Sequence, residues 1–259
     1  MRNDFGFIGT GTLTRAVVAA IRSISDAPTI RLSPRSEEIS TRLATDYPNV
    51  VRESSNADII AKCGTIFLAI RPQQLDDALR GLSFGPDQTV ISFVATVPVE
   101  DVRRIAYPAT QVCRVTPLPA ISHRDGPIVI YPPLPAAIAI FEQLGDLVPA
   151  ESEDEIMKLG CASATMSSFF QIADVMTEWL ASNGVPPSHA STYVRSLLKG
   201  LAITGRSLGG TSLALLADDH ETRGGLNEHV RQHLEDAGFF KTLQGSLDSV
   251  SARLLRKVE

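Results

Sequence analysis

Residues Asp4–Ala20, DFGFIGTGTLTRAVVAA, run from a short apolar stretch into Gly9-Thr10-Gly11 and then into an Ala/Val-rich helical pattern. A buried strand, a tight glycine turn and a helix in that order constrain this segment to one solution, the first βα unit of a doubly wound sheet. Gly9 permits the turn, and Gly11 lets backbone N–H groups approach an anion held at the positive end of the helix. The third position of such a fingerprint, usually Gly or Ala, is Thr14 here. The geometry predicts that Gly9, Gly11, Thr12 and Leu13 cradle a pyrophosphate, as in dinucleotide-binding folds.

Up to about residue 148 the pattern alternates between strand and helix, with strands expected at Asp4–Ile8, Thr29–Leu32, Asn49–Val51, Thr65–Ala69, Thr89–Phe93, Gln111–Val115 and Ile128–Tyr131. Helical character falls at Ser36–Asp46, Gln73–Gly81 and Val99–Tyr107. Strand alternation then ceases, and an Ala-, Ser- and Leu-rich half carries helix-length patterns at Ser163–Asn183, Pro187–Gly205 and Asn227–Gly238. Gly184, Gly205 and Gly238 are expected helix stops. The fold class expected is therefore α/β: an N-terminal Rossmann-like doubly wound domain over residues 1–150, followed by an all-helical dimerisation and substrate domain over 151–259. A helical appendage of this kind completes its core against a second subunit, so a homodimer or higher homo-oligomer through the C-terminal helices is expected.

Charge and cysteines narrow the partners. A formal net charge of −5, with basic residues scattered, excludes an electrostatic footprint for nucleic acid. Cys63, Cys113 and Cys161 are odd in number and lie in apolar surroundings, which fits buried free thiols in a reducing compartment. The segment MRNDFGF has no apolar signal core and no apolar run reaches membrane-spanning length, so a cytoplasmic protein without a membrane partner is expected.

The end of the second strand decides between coenzymes. An acid there accepts hydrogen bonds from the adenosine ribose, whereas basic and hydroxyl groups accommodate a 2′-phosphate. The sequence reads Ile30-Arg31-Leu32-Ser33-Pro34-Arg35-Ser36, with no acid before Glu37. Ser33 and Arg35 are thus candidate 2′-phosphate ligands, and NADPH is favoured over NADH; the competing reading is a merely solvated Arg35. Further strand ends place Ala69, Arg71, Pro72 and Ala95 on the ligand-facing rim beside a nicotinamide, with Arg71 readable either as a cofactor contact or as a solvated rim residue. His229 and His233 have the i, i+4 spacing of a helical metal pair, but no third ligand accompanies them, and no metal is expected.

Five blocks in order resemble the pyrroline-5-carboxylate reductase family over nearly the whole length. GFIGTGTLTRAVV is similar to the family's G-F-I-G-x-G-x-M-A-x-A-I, FLAIRPQQL to F-L-A-V-K-P-Q with Arg71 for Lys, and ISFVATV to I-S-x-A-A-G-V with Thr96 for Gly. CRVTPLPAISHRDGP and ADDHETRGGLNEHVRQHLEDAGF are similar to R-x-M-P-N-T-P-x-x-x-x-x-G and D-x-V-x-S-P-G-G-x-T-x-x-x-L-x-x-L-E-x-x-G-F. The resemblance implies a Rossmann domain, a helical dimerisation domain and NAD(P)H-dependent reduction of a cyclic imine, as in proline biosynthesis. It also assigns substrate-site positions. The family threonine that hydrogen-bonds the ring nitrogen is matched by Asn227, preceded by Gly224 and Gly225; the carboxylate-binding S-G-S-G-P-A falls on Met166–Gln171, where only Ser168 keeps its identity; and the Asn of P-N-T-P is matched by Leu118. These departures imply an altered or bulkier substrate, with Asn227 and Ser168 as the candidate catalytic residues. Two other readings stand beside it: a β-hydroxyacid dehydrogenase-like carbonyl reductase, for which Lys158 is the one weak catalytic candidate, and a non-catalytic NADPH-binding regulatory relative.

Overall fold

The computed structural model describes residues 3–24 and 28–255, without the side chain of Leu255. Two compact units result, one reaching to Gly160 and the other spanning Cys161–Leu255.

The first unit is built on eight strands. Its first half comprises β1 (Phe5–Ile8), α1 (Thr12–Arg22), β2 (Ile30–Leu32), α2 (Glu37–Asp46), β3 (Val50–Arg52) and α3 (Asn56–Lys62). There follow β4 (Thr65–Leu68), a 3-10 turn at Pro72–Gln74, α4 (Leu75–Leu79), β5 (Thr89–Ser92), α5 (Val99–Ile105) and β6 (Gln111–Pro117). After a second 3-10 turn at Pro119–His123 come β7 (Pro127–Tyr131), α6 (Pro135–Phe141), β8 (Asp146–Pro149) and α7 (Glu153–Ser163). The sheet order is β3-β2-β1-β4-β5-β6-β7-β8. All neighbours are parallel except β6 and β7, which pair antiparallel with Val115 opposite Ile130. The order reverses between β1 and β4, and it is outside the carboxyl ends at such a switch point that open α/β sheets bind ligands.

Both faces of the sheet are buried, so its strands read as continuous apolar runs rather than alternating ones. Phe7, Phe67, Ile91 and Cys113 face one side with α1 and α6, and Ile8, Ile66, Leu68, Val90 and Val112 face the other with α3, α4 and α5. Phe7 stacks on Phe67 at 4.3 Å between ring centroids, and Phe67 meets Phe141 edge-on. Gly6 is small because α3 crosses β1 there: a Cβ would come 2.3 Å from Ile59 Cγ2 and 2.9 Å from Cys63 Sγ. The three cysteines are free and buried, and burial pushes the thiols of Cys63 and Cys113 up to about 12, far from a reactive thiolate.

The second unit contains only helices: the end of α7, α8 (Met166–Ser182), α9 (Pro187–Ser207), α10 (Leu213–Asp219), α11 (Leu226–Asp236) and α12 (Phe239–Leu255). Gly184 and Gly238 adopt positive φ just after α8 and α11, and Val185 N–H reaches back to the Leu180 carbonyl, a glycine-capped helix end. Gly205 behaves otherwise. It lies inside α9, which continues to Ser207, because no residue near it breaks the helical hydrogen bonding. Few apolar side chains of this unit are buried, while Phe170, Val175, Trp179, Leu213 and Leu226 stand more than half exposed.

Candidate functional site

The turn between β1 and α1 is held by three side chains. Gly9 has φ +100°, and a Cβ there would lie 2.3 Å from the Ala69 carbonyl oxygen and 2.6 Å from Ile70 Cγ2. Backbone from β4 therefore packs directly against this glycine. Ala69 N–H in turn donates to the Ile8 carbonyl at 2.8 Å. Thr14, fully buried on the first turn of α1, donates its hydroxyl to the Gly9 carbonyl at 2.8 Å. The residue at the third fingerprint position thus ties the helix back to the turn, a role a Gly or Ala cannot perform.

Gly11 caps α1 in extended geometry without any side-chain hydrogen bond, and space for a Cβ there is open to 4 Å. An uncapped N-terminus on an 11-residue helix, bordered by a glycine that blocks nothing, leaves N–H donors and the helix dipole to an external anion. Thr12 is exposed and Leu13 half-buried on the same turn.

Ser33 serves this turn from the neighbouring strand. Its hydroxyl accepts the Gly9 N–H at 3.0 Å and lies 3.1 Å from the Thr10 hydroxyl, and the residue is only 1% exposed. Ser33 therefore sits beneath the turn, where its oxygen braces the pyrophosphate loop from inside. Replacing Ser33 by Ala should leave the Gly9 donor short of its partner, at a cost of about 1–3 kcal/mol. NADPH and NADH affinities should then fall by a similar factor in titrations followed by intrinsic fluorescence; a loss confined to NADPH would instead give Ser33 the 2′-phosphate role.

At the end of β2, Arg35 is exposed and makes no ion pair among the described residues. Ser36 follows in left-handed geometry and starts α2. Arg52, from the end of β3, was not anticipated from sequence; its Nη2 donates to the Pro34 carbonyl at 3.2 Å, its Nε to the Ser40 hydroxyl at 3.1 Å, and it pairs with Glu37 at 3.5 Å. It fixes the loop that carries Arg35. Beneath this edge Glu53 receives Arg31 at 2.5 Å and Lys62 at 2.6 Å, while Arg31 also meets Asp4 at 2.7 Å. Burial pushes the Glu53 carboxyl up, but the hydrogen bonds from Lys62 and Arg31 prevail and hold it below the usual carboxylate range. Glu53 is thus a charged structural centre, already committed, and not a ribose acceptor.

Along the rim, Arg71 is exposed and precedes Pro72, which opens the 3-10 turn after β4. Ala95 is exposed beyond β5, and Leu118 is half-buried at the start of the turn following β6. Arg114, from within β6, is buried and donates to the Ala95 carbonyl and to Glu153, whose other oxygen accepts the Val99 N–H at 2.6 Å.

Within the second unit, Ser168 lies exposed on the first turn of α8 beside Phe169 and Phe170, whose rings meet edge-on at 5.7 Å. Gly224 has φ +74° and gives its N–H to the Glu228 carboxylate, and a Cβ on Gly225 would lie 2.3 Å from Thr222 Oγ1. Asn227 is exposed and donates its Nδ2 to the His220 carbonyl at 2.7 Å, bracing the loop between α10 and α11. The Oδ1 of the same amide is an acceptor that this bond does not use. Glu228 serves as the cap of that loop. Lys158 is paired with Asp154 one turn earlier on α7, and the hydrogen bond raises its pKa, away from the neutral amine a proton-transfer role demands.

Residues 4–96 match the family model described as NADP oxidoreductase, coenzyme F420-dependent. That match spans β1 to the end of β5 and includes the glycine turn. The whole-chain fold is shared with pyrroline-5-carboxylate reductases. The Plasmodium falciparum enzyme, solved with NADP bound, has a TM-score of 0.83 at 15% identity with 100% of each chain covered. The Streptococcus pyogenes enzyme gives 0.82 at 17% identity over 97% of each chain, and that of Coxiella burnetii 0.81 at 19% over 100% of each. A reductive aminase from Aspergillus terreus in complex with NADPH is more distant, with a TM-score of 0.56 at 15% identity covering 100% of this chain and 94% of that one. A comparison with curated protein sequences finds no match. Among the described residues no helix is long and apolar enough to cross a membrane.

Proposed function

We propose that this chain is an NADPH-dependent reductase of a cyclic imine, either pyrroline-5-carboxylate, whose reduction gives proline, or a related and bulkier ring. The observation that carries the reading is a whole-chain fold shared with pyrroline-5-carboxylate reductases, together with an open, uncapped α1 N-terminus at the switch point. Gly11, Thr12 and Leu13 fit a pyrophosphate because their N–H donors are free of side-chain caps and no Cβ intrudes at Gly11, while Gly9, whose N–H is taken by Ser33, shapes the turn that lets it approach. Arg35 takes the 2′-phosphate, and Ala69, Arg71, Pro72 and Ala95 border the nicotinamide. When bound, the cofactor supplies a hydride.

The protein's own contribution is alignment. An iminium carbon is already electrophilic, so the residues must hold donor and acceptor close and exclude water rather than move a proton through a strong base. Asn227 orients the ring nitrogen through Oδ1, and Ser168, Gly224 and Gly225 face the ring. Residues 1–150 carry the cofactor and 151–259 the substrate groups and the dimer contacts. A homodimer, or a larger homo-oligomer, in the cytoplasm is part of the same reading: Ile172, Val175 and Trp179 are exposed on one face of α8, at i, i+3 and i+7, a spacing that suits association. The carbonyl-reductase alternative is disfavoured by the ion-paired Lys158.

The test is oxidation of NADPH with pyrroline-5-carboxylate, piperideine carboxylates and larger imines. Turnover is expected with at least one, and Arg35→Ala should weaken NADPH about tenfold while leaving NADH unchanged. Tight NADPH binding without turnover of any imine would overturn the reductase and favour the regulatory relative.

A further inference from the structure

A guanidinium buried to 5% side-chain exposure is costly to desolvate, and a buried pair of this kind seldom adds net stability over apolar residues of the same size. What it does add is geometry. Arg114 lies in β6 opposite Ser92 of β5, so its side chain starts level with the end of β5 and reaches past it. One nitrogen donates to the Ala95 carbonyl; another donates to Glu153, the first residue of α7. Glu153 returns the second carboxylate oxygen to the Val99 N–H, at the first turn of α5. Three bonds therefore bracket a five-residue rim, Ala95-Thr96-Val97-Pro98-Val99, at both ends. Within that rim Val97 N–H turns back to the Val94 carbonyl at 3.4 Å, a long bond that does little to fix it alone.

We propose that Arg114 and Glu153 are positioning residues for the nicotinamide end of the cofactor: they set the height of the Ala95–Val99 rim, and with it the placement of the hydride donor. The inference rests on the reading of this rim as the nicotinamide side, and it assigns a function to two charges, Arg114 of the CRVTPLP block and Glu153, that the turn itself does not require. Neither residue touches the cofactor. Their effect reaches it only through backbone that they hold.

The experiment compares two ligands on the full chain, NADPH and 2′-phospho-ADP-ribose, the latter lacking the nicotinamide ring. Arg114→Met keeps the length and removes the charge. Val99→Pro deletes the N–H donor at the first helical position, where proline is tolerated, with some loss of packing from a buried valine, and keeps the protein testable should the Arg114 variant fail to fold. Both variants should bind 2′-phospho-ADP-ribose within about twofold of the parent, while NADPH dissociation constants rise about tenfold for Arg114→Met and about threefold for Val99→Pro, since small displacements of an aligning surface are felt only at the group it aligns. Equal weakening of both ligands, or of neither, would overturn the positioning role and leave the cofactor reading intact. A parent protein that binds neither ligand would instead overturn the cofactor reading, and this inference with it.

Discussion

Gly9→Ala should abolish NADPH binding and lower the melting temperature by ~10 °C. The Cβ has nowhere to go: one neighbour is the Ala69 carbonyl oxygen at 2.3 Å, which is backbone of a central strand's extension and cannot swing aside. The φ of +100° adds a conformational penalty. Left-handed strain of about 1–2 kcal/mol and overpacking of about 1–3 kcal/mol together come to about 2–5 kcal/mol, which for a chain of this size brackets that thermal shift. Calorimetry checks the first quantity and fluorescence titration the second. A protein with parental stability and affinity would mean that β4 does not press on the turn as described.

Gly11→Val should separate the two effects. Its backbone is extended, a conformation valine favours, and nothing stands within 4 Å of a Cβ, so the fold loses at most ~1 kcal/mol from a poorer helix cap. The empty space is where the pyrophosphate is proposed to approach the N–H groups of α1. Filling it with a branched side chain should cost ~100-fold or more in NADPH affinity, that is ~2.7 kcal/mol, with an unchanged far-UV spectrum. Retained affinity would move the phosphate away from α1 and remove the central support for a dinucleotide.

The contrast between these glycines shows what sequence could and could not say. Both were legible as turn residues from spacing alone. Only packing shows that Gly9 is required by the fold and Gly11 is free for a ligand. Strands rich in Ile, Val and Phe were legible because both sheet faces are buried; β8, reading DLVP, was not, since a charge and a proline obscure a short edge strand. α3 was also missed, although Ser55 accepts the Asp58 N–H and that capping signal was present in the sequence. α12 escaped because Gly245 and its serines dilute the apolar period.

The site's supporting charges were the least legible part. Ser33 sits 24 residues from Gly9, and Arg114 39 from Glu153. Such partners are chosen by sheet topology, which brings β2 and β6 beside their strand neighbours, and no local pattern marks them. Ser33 stands out in sequence for its chemistry, but its bond to Gly9 does not; Arg114 is visible there only as part of a block. In the second unit the reverse holds: Asn227 was singled out by motif position, and the structure adds that half of its amide is occupied by His220.

The strand order has a consequence for how copies of this chain can meet. The two outer strands are β3, three residues long, and β8, four residues long and closed by Pro149, which has no N–H to offer. Arg52 at the end of β3 is bent back onto Pro34 and Ser40 instead of standing beside a free edge. Neither margin offers the long, flat row of donors and acceptors that invites another strand, so the sheet is protected against edge-to-edge growth. Assembly by strand addition, and the fibrous misassembly that accompanies it, is closed to this fold at both margins. The route left for orderly self-recognition runs through helical surfaces, where contact is made by side chains and can be tuned one residue at a time.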